Sequence, residues 1–104
     1  MGKRFLILFT ALITSTLAAQ VPDGAALYRQ HCAVCHQAEG QGVAGVFPPL
    51  AGSDFLIRER DRALRAPLEG LSGEITVNGK KYNGAMPLMV LSDPEISAVM
   101  TWIG

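Results

Sequence analysis

Cys32-Ala33-Val34-Cys35-His36 is the stretch whose chemistry organises the rest of the chain. Two thiols separated by two residues can each add to a vinyl group of one haem, and the imidazole on the next position is then held under the iron as a ligand. Three other chemistries use a similar pair. A structural zinc needs four ligands, and the only further nitrogen nearby is His31, adjacent to Cys32 and badly placed to close a tetrahedron. A thioredoxin-like dithiol lies next to a βαβ pattern, and no strand pattern precedes Cys32. A plain disulfide is compatible with an exported chain.

Upstream of the motif, Asp23 is placed to cap a helix whose inward face carries Gly24, Leu27 and Tyr28, with His31 turned to solvent. Downstream, residues 37–52 hold Gly40, Gly42, Gly45, Gly52 and the pair Pro48-Pro49, a pattern too irregular for a long element. A loop of that length inside a small domain tends to wrap something. Ser53 and Asp54 then open a helical stretch in which Leu64, Leu68 and Leu71 share one face. Pro67 interrupts this pattern and predicts a kink or a split into two short helices. The arginines of this stretch, Arg58, Arg60, Arg62 and Arg65, alternate with Glu59 and Asp61 and read as a solvated face with pairs such as Asp61 with Arg65.

Ile75-Thr76-Val77, Asn78-Gly79 and Lys80-Lys81-Tyr82 predict a β-hairpin, because Asn-Gly accepts the positive φ angles of a two-residue type I′ turn. After a loop over 83–91, Ser92-Asp93-Pro94-Glu95 combines an N-cap serine, an early proline and a capping-box glutamate. The helix they open buries Ile96, Val99, Met100 and Ile103, with Trp102 beside them.

An electron-transferring haem iron takes a second axial ligand, and a thioether suits it because it favours the reduced metal. Met100 reads as core of the last helix. Met86 and Met89 both fall in the 83–91 loop, and Met86 is the stronger candidate because Gly84 permits close approach and Pro87 stiffens the chain after it. Met89 is the alternative.

Length and charge narrow the classes further. The 104 residues carry nine basic and nine acidic side chains, 17% charged residues in all, so the chain is one small domain without the basic excess of a nucleic-acid binder. Nor does it have the charge density of a disordered chain. Lys3 and Arg4 precede an apolar run from Phe5 to Leu17 that closes on Ala18-Ala19, the plan of a secretory signal peptide cleaved after Ala18 or Ala19. The run is shorter than the roughly 20 residues of a membrane span. Residues 1–19 are thus expected to be removed and residues 20–104 to form the domain, with no membrane span left. Losing Lys3 and Arg4 leaves seven basic residues against nine acidic ones. A domain of this size has a marginal core and gains from a cofactor at its centre.

Six segments in order resemble the small bacterial class I c-type cytochromes: Asp23-Gly24 with Tyr28; Cys32-x-x-Cys35-His36; Phe47-Pro48-Pro49-Leu50-Ala51-Gly52; Gly70-Leu71 through Val77-Asn78-Gly79; Tyr82-Asn83-Gly84-x-Met86-Pro87; and Ser92 to Trp102. The resemblance implies a mainly α fold of three to five short helices around one covalent haem c, with a small β-hairpin near 74–83. It implies thioethers at Cys32 and Cys35, axial ligands His36 and Met86, and a Pro48 carbonyl accepting the Nδ1 proton of His36, with Pro49 as the alternative. Leu50 would pack on the haem face, and Gly24 and Tyr28 would meet the last helix around Trp102. The function implied is periplasmic electron transfer without bond-making catalysis; the alternative is a haem subunit feeding electrons to one redox enzyme. Partners of either would be proteins such as a terminal oxidase, a cytochrome bc complex, a nitrite reductase or a dehydrogenase, with the chain a monomer or an enzyme subunit. The apolar haem rim beside the Cys-x-x-Cys-His segment is the expected contact. Two features depart from the family: Pro67 within a helix, and an end at Gly104 where the family's last helix usually continues, which points to a short native helix or a shortened reading frame.

Overall fold

In the computed structural model, which describes residues 21–104, Asp23 starts the first helix as expected. Its Oδ1 accepts the Ala26 N–H at 3.1 Å and opens α1 (Gly24–His31). The short α2 (Ala33–His36) follows directly, and α3 (Phe55–Arg58), α4 (Arg60–Glu69), the strands β1 (Leu71–Val77) and β2 (Lys80–Met86), and α5 (Asp93–Ile103) complete the order. The 1–19 signal segment expected from sequence lies outside the described residues. Among the described residues no helix is long and apolar enough to cross a membrane.

α1 packs against α5, and the crossing is tight because Gly24 has no side chain. A Cβ there would collide with the Ala98 carbonyl. Tyr28 is fully buried, its ring centroid 4.9 Å from that of Trp102 at a tilt of 36°. Its hydroxyl donates to the Gln37 carbonyl at 2.6 Å, which satisfies the one polar atom of that side chain and ties α1 to the start of the long loop. Trp102 itself remains 47% exposed, closing the crossing from outside. At the start of α5 the capping box forms in full: Ser92 Oγ accepts the Glu95 N–H at 3.3 Å, and Glu95 Oε1 accepts the Ser92 N–H at 2.9 Å. His31 is half-buried rather than solvent-facing, and the Ser92 N–H and hydroxyl hold the Glu95 carboxyl below its ordinary value.

The hairpin is longer than the 74–83 expected. β1 and β2 pair antiparallel from Leu71 opposite Met86 to Val77 opposite Lys80, around a turn with φ +52 at Asn78 and +80 at Gly79. Ile75 stands opposite Tyr82, and these two with Val77 form the buried face, while Glu74 and Thr76 point outward. Phe55 and Ala63 join them in one apolar cluster. Because pairing continues to its end, Met86 is the last residue of a strand, not part of a free loop.

The helical stretch after Ser53 is split, but at Glu59, where φ −114 and ψ 51 leave the helical region. Pro67 lies inside an unbroken α4. Its missing N–H leaves the Ala63 carbonyl without the helical bond from position 67, and the helix ends two residues later at Glu69. The leucine stripe is also corrected. The buried positions of α4 are Ala63 and Ala66, whereas Leu64 and Leu68 are 45% and 39% exposed. Ala63 packs with Phe55 and the hairpin, while the leucines fall on the flank and border a shallow groove towards Ile96 and Met100 of α5. Leu71, the third of the set, belongs to β1. Three of the four arginines pair locally, though with other partners than expected: Arg58 with Asp54, Arg62 with Glu59 and Arg65 with Glu69.

Candidate functional site

α1 runs into α2 through Cys32, whose N–H still donates to Tyr28 and whose carbonyl accepts the His36 N–H at 2.9 Å. This tight turn presents both cysteines and His36 at one place. The chain then reverses at Gln37, φ +71, and folds back on itself: Gly42 donates to the His36 carbonyl at 2.9 Å, and Leu50 and Ala51 donate to the Gly40 carbonyl at 2.7 and 2.9 Å. Gly42 lies so close to Phe47 that a Cβ would strike its carbonyl. The glycines predicted as loop markers therefore let the 37–52 segment wrap around His36.

That wrapping delivers the Pro48 carbonyl to His36, whose Nδ1 donates to it at 2.8 Å. A carbonyl can only accept, so the proton of this ring sits on Nδ1 and Nε2 keeps a free lone pair. Burial pushes the imidazole below its ordinary pKa against the opposing pull of Pro48, and the ring, 8% exposed, is held neutral. Cys32 and Cys35 are both half-buried, and burial raises the pKa of the Cys32 thiol.

Two adjoining cavities, of about 80 and 350 Å³, meet along a wall formed by His36, Pro48, Leu71, Ile75 and Met86. Cys32 and Leu50 border the smaller and Cys35 the larger. All six residues singled out from sequence thus surround one divided cleft, though they come from α1–α2, the wrapping loop and the end of β2. Met89 borders neither cavity. Met100 borders the smaller one from α5, together with Val99 and Ile103, so it is more than core filling. Sequence reasoning missed Phe55, Ala66 and Pro67 on the same wall. Only their closeness in the fold reveals them, since their spacing marks them as helix interior. Among the described residues no three His, Cys, Asp or Glu side chains converge to hold an ion.

The residues present fit a haem. The cleft is walled by apolar side chains, a thiol borders each part of it, and the shared wall offers a neutral imidazole with a free nitrogen lone pair together with a thioether. Comparison with known proteins agrees. Residues 19–103 match the family described as cytochrome C oxidase, cbb3-type, subunit III, and the chain belongs to this family of c-type cytochromes, electron-transfer proteins built on haem c. It is similar to a cytochrome c-552 of Thermus thermophilus, 46% identical over 106 residues, a match covering 97% of this chain and 70% of that protein. A second Thermus thermophilus cytochrome c-552 is 49% identical over 86 residues, covering 78% of this chain and 65% of that protein. The cytochrome c subunit of a quinone alcohol dehydrogenase from Gluconobacter oxydans is 44% identical over 97 residues, which is 90% of this chain and 20% of the subunit. The chain thus spans about two thirds of the Thermus relatives and one fifth of the dehydrogenase subunit. In keeping with the family and the two Thermus cytochromes, the chain is an electron carrier rather than an enzyme.

Proposed function

We propose that this chain carries a single haem c, joined through Cys32 and Cys35 and ligated by His36 and Met86, and that it works as an exported, periplasmic electron carrier. The observation that supports this best is the cleft itself: residues from three separate parts of the chain, with the ligand chemistry of a low-spin haem, share one apolar wall. Bound there, haem supplies one-electron exchange between Fe(II) and Fe(III).

Each residue then has a physical task. Cys32 and Cys35 fix the ring covalently, so the cofactor survives unfolding. His36 offers Nε2, and the Pro48 carbonyl holds its tautomer and ring plane. Met86 offers a soft sulfur, which favours the reduced metal and raises the potential. Leu50 and Ile75 keep water from the cleft and lower the local dielectric. With His36 and Met86 both holding the iron, no ligand position would be left on it for a substrate.

Partners are redox proteins: a terminal oxidase, a cytochrome bc complex, a nitrite reductase or a dehydrogenase. Val34, beside Cys35, and Val46, which borders the larger cavity with Cys35, are both exposed and offer an apolar contact of the small kind that transient electron transfer uses. A second reading, a haem subunit bound to one enzyme, is favoured by the similarity of 90% of this chain to part of the alcohol dehydrogenase subunit. Intact mass after acid denaturation tests the first claim. The exported chain should exceed its polypeptide mass by one haem, and a bare polypeptide mass would remove the proposal. Native purification separates the two readings, since a carrier runs as a monomer and a subunit co-purifies with its enzyme.

A further inference from the structure

The end of α4 grips the segment that carries Met86 at two points. Met86 closes β2 opposite Leu71, and three residues later the Met89 N–H donates to the Pro67 carbonyl at 2.7 Å. That carbonyl is available because α4 ends at Glu69; the residue four ahead, Leu71, has already entered β1. Gly70 lies against the same segment. A Cβ there would stand 3.2 Å from the Met86 carbonyl oxygen and 3.4 Å from the Leu88 nitrogen. Its backbone, φ 86 and ψ 164, occupies a region that only glycine adopts with ease. Pro87 stiffens the span between the two anchors. Residues 86–89 are thus a strap clamped at both ends.

We infer that the Pro67 carbonyl and Gly70 are positioning groups: by strapping residues 86–89 to the end of α4, they set where the Met86 sulfur can reach and resist its displacement from iron. The inference rests on the Met86 ligation proposed above. A strap of this kind leaves the iron site intact when it is lost but makes the sulfur easier to replace, so competition by an added ligand reads it directly.

The experiment uses the full exported holoprotein in its ferric form, with imidazole as the competing ligand. Met89→Pro removes the donated N–H, whereas Met89→Leu keeps it and removes only the sulfur. Gly70→Ala presses a Cβ against the Met86 backbone. Ser92→Ala weakens the α5 cap elsewhere and controls for general destabilisation. Imidazole affinity should rise about fivefold in Met89→Pro and in Gly70→Ala, roughly the worth of one backbone hydrogen bond, and stay at the wild-type value in Met89→Leu and Ser92→Ala. The strap is overturned if Met89→Pro binds imidazole no better than Met89→Leu, or if Ser92→Ala gains as much as Gly70→Ala. Where one of the two strap variants does not mature, the other decides against its own comparator. Failure of the ligation reading has a separate signature: the far-red sulfur-to-iron band of the ferric protein survives Met86→Ala or disappears in Met89→Leu. Failure of the strap alone leaves that band with Met86.

Discussion

Asp54 and Asn78 bind each other twice: the Asn78 N–H donates to Asp54 Oδ1 at 2.7 Å, and the Asp54 N–H donates to Asn78 Oδ1 at 2.9 Å. The pair joins the start of α3 to the hairpin turn and clamps the two ends of the Phe55, Ile75, Val77 and Tyr82 cluster. Asn78 therefore serves twice, once for a backbone that tolerates φ +52 and once for a side chain that reaches Asp54.

The pair makes stability depend on pH. The Asn78 N–H, with Arg58 assisting, holds the Asp54 carboxyl below its ordinary value. A carboxyl whose folded pKa is depressed contributes fully above its unfolded value and loses that contribution as pH falls through the folded one. Asp54→Ala should therefore melt below wild type at neutral pH, and the two melting curves should converge in acid below the ordinary carboxylate range. A gap that stays constant from neutral pH into strong acid would show that the charge has no part in it.

Gly24 is predicted to admit no side chain. Gly24→Ala drives a Cβ into the Ala98 carbonyl, a backbone atom of α5 that cannot swing aside. Overpacking of this kind costs about 1–3 kcal/mol, and the loss should appear as a lower urea midpoint with covalent haem still present. An unchanged midpoint would mean that α1 and α5 do not cross as closely as described.

At the hairpin turn, Gly79 has open space around its Cβ position and φ +80, so any cost of substitution is conformational. Gly79→Val should destabilise by about 1–2 kcal/mol, while Gly79→Asn, which visits the left-handed region more readily, should cost much less. Thermal melts of the two variants compared with wild type check this, and equal losses would argue against the type I′ geometry.

The methionines can be told apart by spectrum. Met86→Ala should abolish the far-red sulfur-to-iron band of the ferric protein and lower the reduction potential, because the soft donor that favours Fe(II) is gone. Met89→Ala and Met100→Ala should keep the band. Met100 is the sterner control, since it also borders the cleft. A band that follows Met100 would move the sixth ligand to α5.

Local chemistry in the chain was enough to read the helix caps at Asp23 and Ser92, the Asn78-Gly79 turn and the grouping of Cys32, Cys35 and His36. Each depends on residues a few positions apart, whose propensities act before any tertiary contact forms. The approach of α1 to α5 through Gly24 and Trp102 was legible only through family resemblance, since no local rule links residues so far apart. Where packing decides, the sequence misled. Leu64 and Leu68 have the spacing of a buried stripe, yet α4 turns Ala63 and Ala66 inward instead, both onto the wall of the cleft. Pro67 has the look of a helix breaker, yet α4 runs through it to Glu69 and its carbonyl finds Met89. Met86 reads as a loop residue because Asn83 and Gly84 are poor strand formers, but pairing with β1, which Leu71 starts, carries the strand to its end. The ligand types were thus written locally, while their convergence on one cleft depended on long-range pairing and burial, which no window of sequence contains.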